Sequence, residues 1–271
     1  MRDWRRNRFL NPRKYLEFTL TGFRTSLAYR LNSVASLANS IIFLVLMYAL
    51  WSAIAASGRL EGGLNQVLTY IVLGQVISSS VFMNVEKLLS GKIREGTIVN
   101  ELKRPMSLRA QVYFQMLGIM LFNLLFVGMP MLLIGFVFLN LSFPGIFQTL
   151  VFAISVLLAY NVVYGLSYAT SMIIFWTKVG WSIRMMRTTV QSLFSGVYFP
   201  LYLLPPTLET AFNYLPFQSM VDAPISIFMG RISGPETLAV LGKQTVWIVL
   251  LLIIGEIMWI KARKKLTVQG G

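Results

Sequence analysis

Residues 110–177 read AQVYFQMLGIMLFNLLFVGMPMLLIGFVFLNLSFPGIFQTLVFAISVLLAYNVVYGLSYATSMIIFWT, without a single Asp, Glu, Lys or Arg. A bilayer core of about 30 Å is crossed by roughly 20 helical residues. The stretch is therefore too long for one crossing and long enough for two. Its break falls at Asn140-Leu141-Ser142-Phe143-Pro144-Gly145, where Asn, Ser, Pro and Gly bring turn chemistry. One span is expected at 110–139 and the next at 146–177. Gly128 and Pro130 are expected to kink the first of them.

Working outward, the same logic finds further apolar blocks. Residues 31–56 carry no charge and form a first span, followed by a short turn containing Gly58, Gly62 and Gly63 and a second span at 65–85. Downstream, a basic turn with Lys178, Arg184 and Arg187 leads to a span expected at 188–204, ended by Pro205-Pro206. Residues 205–236 are broken by Pro216, Pro224 and Pro235 into pieces too short to cross, and read as an outer re-entrant region. A last span is expected at 237–260, before a basic tail at 261–271. Ala53-Ile54-Ala55 matches a signal-cleavage pattern, but the apolar run before it is far longer than a signal core, which favours an uncleaved first span.

The N-terminal segment 1–30 is rich in arginine, and Leu16, Leu20, Phe23 and Leu27 recur at helical spacing. An amphipathic helix starting near Asn11-Pro12 and lying at the membrane interface is expected. The fold class is thus an all-α membrane protein of about six transmembrane helices. It adds an N-terminal amphipathic interfacial helix and an outer re-entrant helical region before the last span.

Composition agrees. Of 271 residues, 56% are hydrophobic and only 13% charged, about half the charge of a soluble domain. The net charge of +14 does not point to nucleic acid, because the cations sit between apolar blocks. With the N-terminus inside, all Lys and Arg except Arg59, Arg231 and Lys243 fall on the cytoplasmic side, as the positive-inside rule requires. Both ends are then cytoplasmic.

Several chemistries are excluded. There is no Cys and no His, which removes disulfides, thiolate zinc sites, histidine metal ligands and histidine bases. Gly91-Lys92 and Gly242-Lys243 are not followed by Ser or Thr, so there is no phosphate-binding P-loop. An ion-coupled carrier acting without an ATPase is the alternative function. It usually needs ionisable residues in mid-membrane, and only Lys243 and Glu256 lie within spans, both near enough to helix ends to snorkel. A lipid-modifying enzyme would have only Glu209, Asp222 and Glu236 in the outer region.

The polar segment 86–109 is longer than the two to eight residues that join neighbouring helices. A short surface helix that a soluble partner grips would explain the excess. The uncharged polar residues of the spans, among them Gln75 and Ser79 in the second and Gln191, Ser195 and Tyr198 in the fifth, either tie helices together or line a path.

Gly91-Lys92-Ile93-Arg94-Glu95-Gly96-Thr97-Ile98, followed by Glu101-Leu102-Lys103-Arg104-Pro105, resembles the cytoplasmic segment of type-2 ABC exporter permeases. More narrowly, it is similar to the small permeases encoded in pairs beside one ATPase gene. Ser195-Gly196-Val197-Tyr198-Phe199-Pro200-Leu201, Tyr214-Leu215-Pro216-Phe217 and the stretch from Pro224 to Gly230 resemble that group's fifth span and outer region; Tyr29-Arg30 and Trp51 also fit. The resemblance implies a bacterial plasma-membrane half-transporter that pairs with an identical or sister permease. It would be driven by two copies of a separate ATPase that carry the ATP and Mg. It further implies that residues 86–104 dock the ATPase, with Glu86, Lys87, Lys92, Arg94, Glu95 and Arg104 as contacts. Gln75, Ser79, Gln191, Ser195 and Tyr198 would lie along the substrate path. No cofactor, catalytic residue or metal is implied in this chain.

Overall fold

A computed structural model describes residues 12–58, 63–139 and 144–265. The arginine run before Pro12, the glycine turn at 59–62, the break at 140–143 and the tail after Lys265 lie outside the described residues. Among the described residues every regular element is helical.

Helix α1 (Pro12–Ala28) begins on a proline, whose missing N–H and fixed φ suit a first helical position. Helix α2 (Arg30–Ala56) and helix α3 (Leu64–Val81) form the next two elements. The chain becomes extended at Phe82, then forms two short helices, α4 (Val85–Arg94) and α5 (Ile98–Leu102). Gly96 turns between these two with φ +71°, a conformation that glycine adopts without strain.

Ser107 caps helix α6 (Leu108–Asn123), accepting a hydrogen bond from the Ala110 amide at 3.3 Å. The expected kink takes a definite form. One π-turn, Leu124–Gly128, separates α6 from helix α7 (Met129–Leu139). Pro130 has no N–H to give and its ring crowds the carbonyl four residues back, so a widened turn just before it relieves both problems.

Helix α8 (Ile146–Met172) runs into a short turn, α9 (Ile174–Thr177), and ends at Lys178 in the left-handed region. The expected fifth span at 188–204 is not one helix. Helix α10 covers Gly180–Phe194, so the supposed basic turn carrying Arg184 and Arg187 is part of it. It ends at Ser195, and Gly196 turns the chain with φ +88°. Two short helices follow, α11 (Pro206–Asn213) and α12 (Asp222–Phe228). Helix α13 (Pro235–Ala262) closes the fold.

Among the described residues, five helical stretches are long and apolar enough to cross a membrane: Arg30–Ala56, Leu64–Arg94, Leu108–Leu139, Ile146–Thr177 and Pro235–Lys265. Helix α3 is the central one, buried along most of its length against α2, α6, α7 and α8. Helices α8 and α13 pack side by side through small residues: a Cβ on Gly165 would lie 2.8 Å from Leu251 Cβ, and one on Gly255 would lie 2.9 Å from Tyr168 Cδ1. Helix α2 is exposed along most of its length, with Leu31, Val34, Val45 and Leu46 outward and Trp51 tucked against Val67 and Ile71.

Helix α1 packs mainly through another face than the Leu16, Leu20, Phe23 and Leu27 stripe. Its contact face is Tyr15, Thr19, Gly22 and Phe23, laid along α6, while Leu16 and Leu27 stay exposed. Gly22 and Gly118 permit this by letting the two backbones touch.

Candidate functional site

The start of α4 is built around one buried carboxylate. Glu86 is fully buried and Arg187 of α10 is 4% exposed. Glu86 Oε1 accepts from Arg187 Nε at 2.5 Å and from Thr170 Oγ1 at 2.7 Å; Oε2 accepts from Ser167 Oγ at 2.9 Å and from Arg187 Nη2 at 3.2 Å. Arg187 Nη2 also donates to the Met83 carbonyl at 2.7 Å, and Nη1 donates to Gln191 Oε1. Ser167 Oγ in turn accepts from the Val85 amide at 3.2 Å. A charge held away from water is tolerable only when paired and hydrogen-bonded, and here both partners are. The guanidinium fork suits this geometry, reaching a carboxylate, a carbonyl and an amide at once.

Two expectations are corrected by this arrangement. Glu86 cannot be a docking contact, because it is wholly enclosed. Gln191 does not line an open path but supports Arg187. The sequence did hold a trace of the cluster: Gly180, Arg187 and Gln191 fall on one face of α10 and are its buried residues. Its partner, however, lies 101 positions away.

The rest of the α4–α5 segment has a buried rear and a charged front. Leu89, Ile98 and Glu101 face inward. Glu101 pairs with Lys92 at 2.7 Å and Arg104 at 2.8 Å, while Gln111 Nε2 ties the Glu101 and Met106 carbonyls at 2.9 and 2.8 Å. Of the expected docking residues, Lys87, Arg94, Glu95 and Arg104 are exposed and Lys92 is half-buried. Arg104 also lies over the Phe18 ring at 5.6 Å, bringing α1 against the segment. A cleft of about 440 Å³ opens there, lined by Glu17, Phe18, Thr21, Lys92, Glu101, Arg104 and Gln115. Glu101 was missed as an anchor, although its spacing to Arg104 was a readable helical ion-pair signal.

The remaining residues of the expected path are dispersed. Gln75 is buried on α3, and Ser79 Oγ donates to the Val76 carbonyl of its own helix at 3.1 Å. Ser195 is buried; its carbonyl accepts from the Asp222 amide at 3.2 Å. Tyr198 is 43% exposed, its ring 5.9 Å from that of Phe43 on α2. None of them lines the cleft at α1 or a second, apolar cleft of about 310 Å³ between α8, α12 and α13.

Elsewhere, Lys243 does not snorkel freely: its Nζ donates to Gln218 Oε1 at 2.5 Å and to the Asn213 carbonyl at 3.2 Å. Gln218 Nε2 donates to Asp222 Oδ2 at 2.9 Å, and Tyr70 Oη to Asp222 Oδ1 at 2.7 Å. Burial pushes the Asp222 carboxyl above its ordinary range, with the Tyr70 and Gln218 hydrogen bonds and the Lys243 and Arg231 charges opposing part of that rise. Glu256 pairs with Arg109 at 3.3 Å, each 45% exposed. No cluster of three or more metal-ligating side chains occurs among the described residues.

Among the described residues, five apolar helical stretches of membrane-crossing length, the second ending in α4 and joined to the third through α5, define a multi-pass membrane protein. The sequence profile described as "ABC-2 family transporter protein" matches residues 34–270, and the chain belongs to that family. It is therefore an ABC-2-type permease, a membrane transport component of a kind that works with an ATPase. A search of curated proteins found no match.

Proposed function

We propose that the chain is the membrane-spanning subunit of an ATP-driven ABC exporter. It forms the translocation path with a second permease, identical or a sister chain, and is powered by two copies of a separate ATPase that bind ATP and Mg. In this reading both termini lie in the cytoplasm of a bacterium. Helix α10 with residues 195–204 supplies a sixth crossing, and 205–236 forms the outer re-entrant region. Helix α1 lies at the inner membrane interface with Leu16 and Leu27 toward lipid.

The observation that carries the reading is the two-sidedness of residues 86–104. Their rear is bound into the membrane domain through Glu86 and Glu101, and their front offers Lys87, Arg94, Glu95, Lys103 and Arg104. Such a segment suits a lever gripped by a soluble partner between two crossings. The deciding experiment co-expresses the chain with a candidate partner ATPase. The double variant R94E/R104E is expected to reach the membrane but lose co-purification with the ATPase. Undiminished co-purification would remove this docking site. Transport by the purified chain in liposomes under an ion gradient alone would favour the ion-coupled carrier instead.

A further inference from the structure

Helix α10 is attached to the rest of the chain in an unusual way. Only Gly180, Arg187 and Gln191 of its residues are buried, while Trp181, Met185, Met186 and Leu193 face outward. Two of the three buried residues belong to the Glu86 cluster. The third, Gly180, touches α4 directly: a Cβ there would collide with the Ser90 side chain and lie 3.3 Å from the Glu86 carbonyl. Helix α10 is thus registered on α4 at two levels, Gly180 on Ser90 and Arg187 on Glu86.

An apolar seam can slide, because its contacts are non-directional and interchangeable. A buried guanidinium–carboxylate pair cannot, because separating it strands two charges where no water can reach them. The pair also carries main-chain bonds at both ends of the extended link before α4, at the Met83 carbonyl and, through Ser167, at the Val85 amide.

We propose that Glu86 and Arg187 are positioning residues that make α10 follow α4. The pair stays closed through the ATPase cycle, so displacement of residues 86–104 reaches α10 as movement of one rigid body. The inference rests on the exporter reading, which supplies the displacement. It goes beyond that reading in naming which helix receives the motion and through which bond.

The test exploits the absence of native cysteine. Pairs of spin labels are introduced by Asn100→Cys with Ser182→Cys, and by Asn100→Cys with Val34→Cys, all at exposed positions. The full complex with its ATPase is studied in nanodiscs, with labelled chain diluted so that each complex holds one labelled copy. Distances are read without nucleotide and with ATP trapped by vanadate. The expected result is a shift of the 34–100 distance and an unchanged 100–182 distance. In the apolar double variant E86L/R187M, which leaves no stranded charge, the 100–182 distance is expected to shift or broaden with nucleotide.

A nucleotide-dependent 100–182 distance in the unaltered pair overturns the inference. So does an unchanged 100–182 distance in E86L/R187M, since packing alone would then hold α10. An ATPase that fails to assemble, or a 34–100 distance that ignores nucleotide, refutes the exporter reading itself and the inference with it.

Discussion

Gly118 of α6 lies directly against the Thr19 carbonyl of α1, and one turn along the contact Gly22 lies against the Gln115 carbonyl. A Cβ at either position would overlap main-chain oxygen, which cannot swing aside as a side chain can. G118A is therefore expected to force α1 away from α6, seen as a lower melting temperature in detergent and faster proteolysis within residues 12–28. Gly242 of α13 is the control, since nothing approaches its Cβ position within 4 Å. G242A should be neutral or stabilising, by up to about 1 kcal/mol from helix propensity.

Two ion pairs that join helices far apart in sequence should behave differently. Glu86 and Arg187 are enclosed, so E86A leaves an unpaired guanidinium and is expected to destabilise by about 3–5 kcal/mol. Arg109 and Glu256 are each 45% exposed, and E256A should cost no more than about 1 kcal/mol. Thermal unfolding of the two variants in one detergent measures the contrast. Equal losses would mean that burial is not what sets the strength of these pairs.

Glu101 separates two cations that would otherwise face each other. E101A is expected to destabilise by about 1–3 kcal/mol, because Lys92 and Arg104 lose their shared acceptor. The neighbouring exposed Glu95 should tolerate alanine within about 0.5 kcal/mol. Limited proteolysis at 86–104 should quicken in E101A alone.

Asp222 should leave a mark on the pH dependence of stability. Burial raises its carboxyl above the usual range, so the folded state holds that proton more tightly than the unfolded chain does. Its stabilising contribution is then fully present below the unfolded value of about 4 and is lost as pH rises through the raised folded value. Relative to D222N, which cannot titrate there, the unaltered protein should gain stability as pH is lowered from neutral. A melting-temperature difference that stays flat across that range would contradict the assignment.

The local pattern of the chain was readable where one element answers to its own residues. The uncharged run at 110–177 separates into the apolar stretches Leu108–Leu139 and Ile146–Thr177, and Pro130 does perturb its helix. Spacing alone did not name the face by which α1 packs. Leu16 and Leu27 share a stripe with Phe23, yet the α1 contact is made by Thr19 and Gly22, because backbone proximity counted for more than side-chain hydrophobicity. The start of the helix expected at 188–204 was misplaced for another reason. Arg184 and Arg187 looked like the end of a solvated turn, but Arg187 is drawn into α10 by a carboxylate on another helix.

Sequence alone determined the helical class, the apolar stretches and the polar segment between the second and third of them. Each follows from the cost of putting peptide groups and charges into hydrocarbon, a cost every residue meets individually. Only the tertiary structure decided which charges are available to a partner. Glu86 and Glu101 look like Glu95 in the sequence, yet the first two are walled in and the third is exposed. For Glu86 that outcome depends on Ser167, Thr170 and Arg187 arriving from distant parts of the chain, and no local pattern encodes such an arrival.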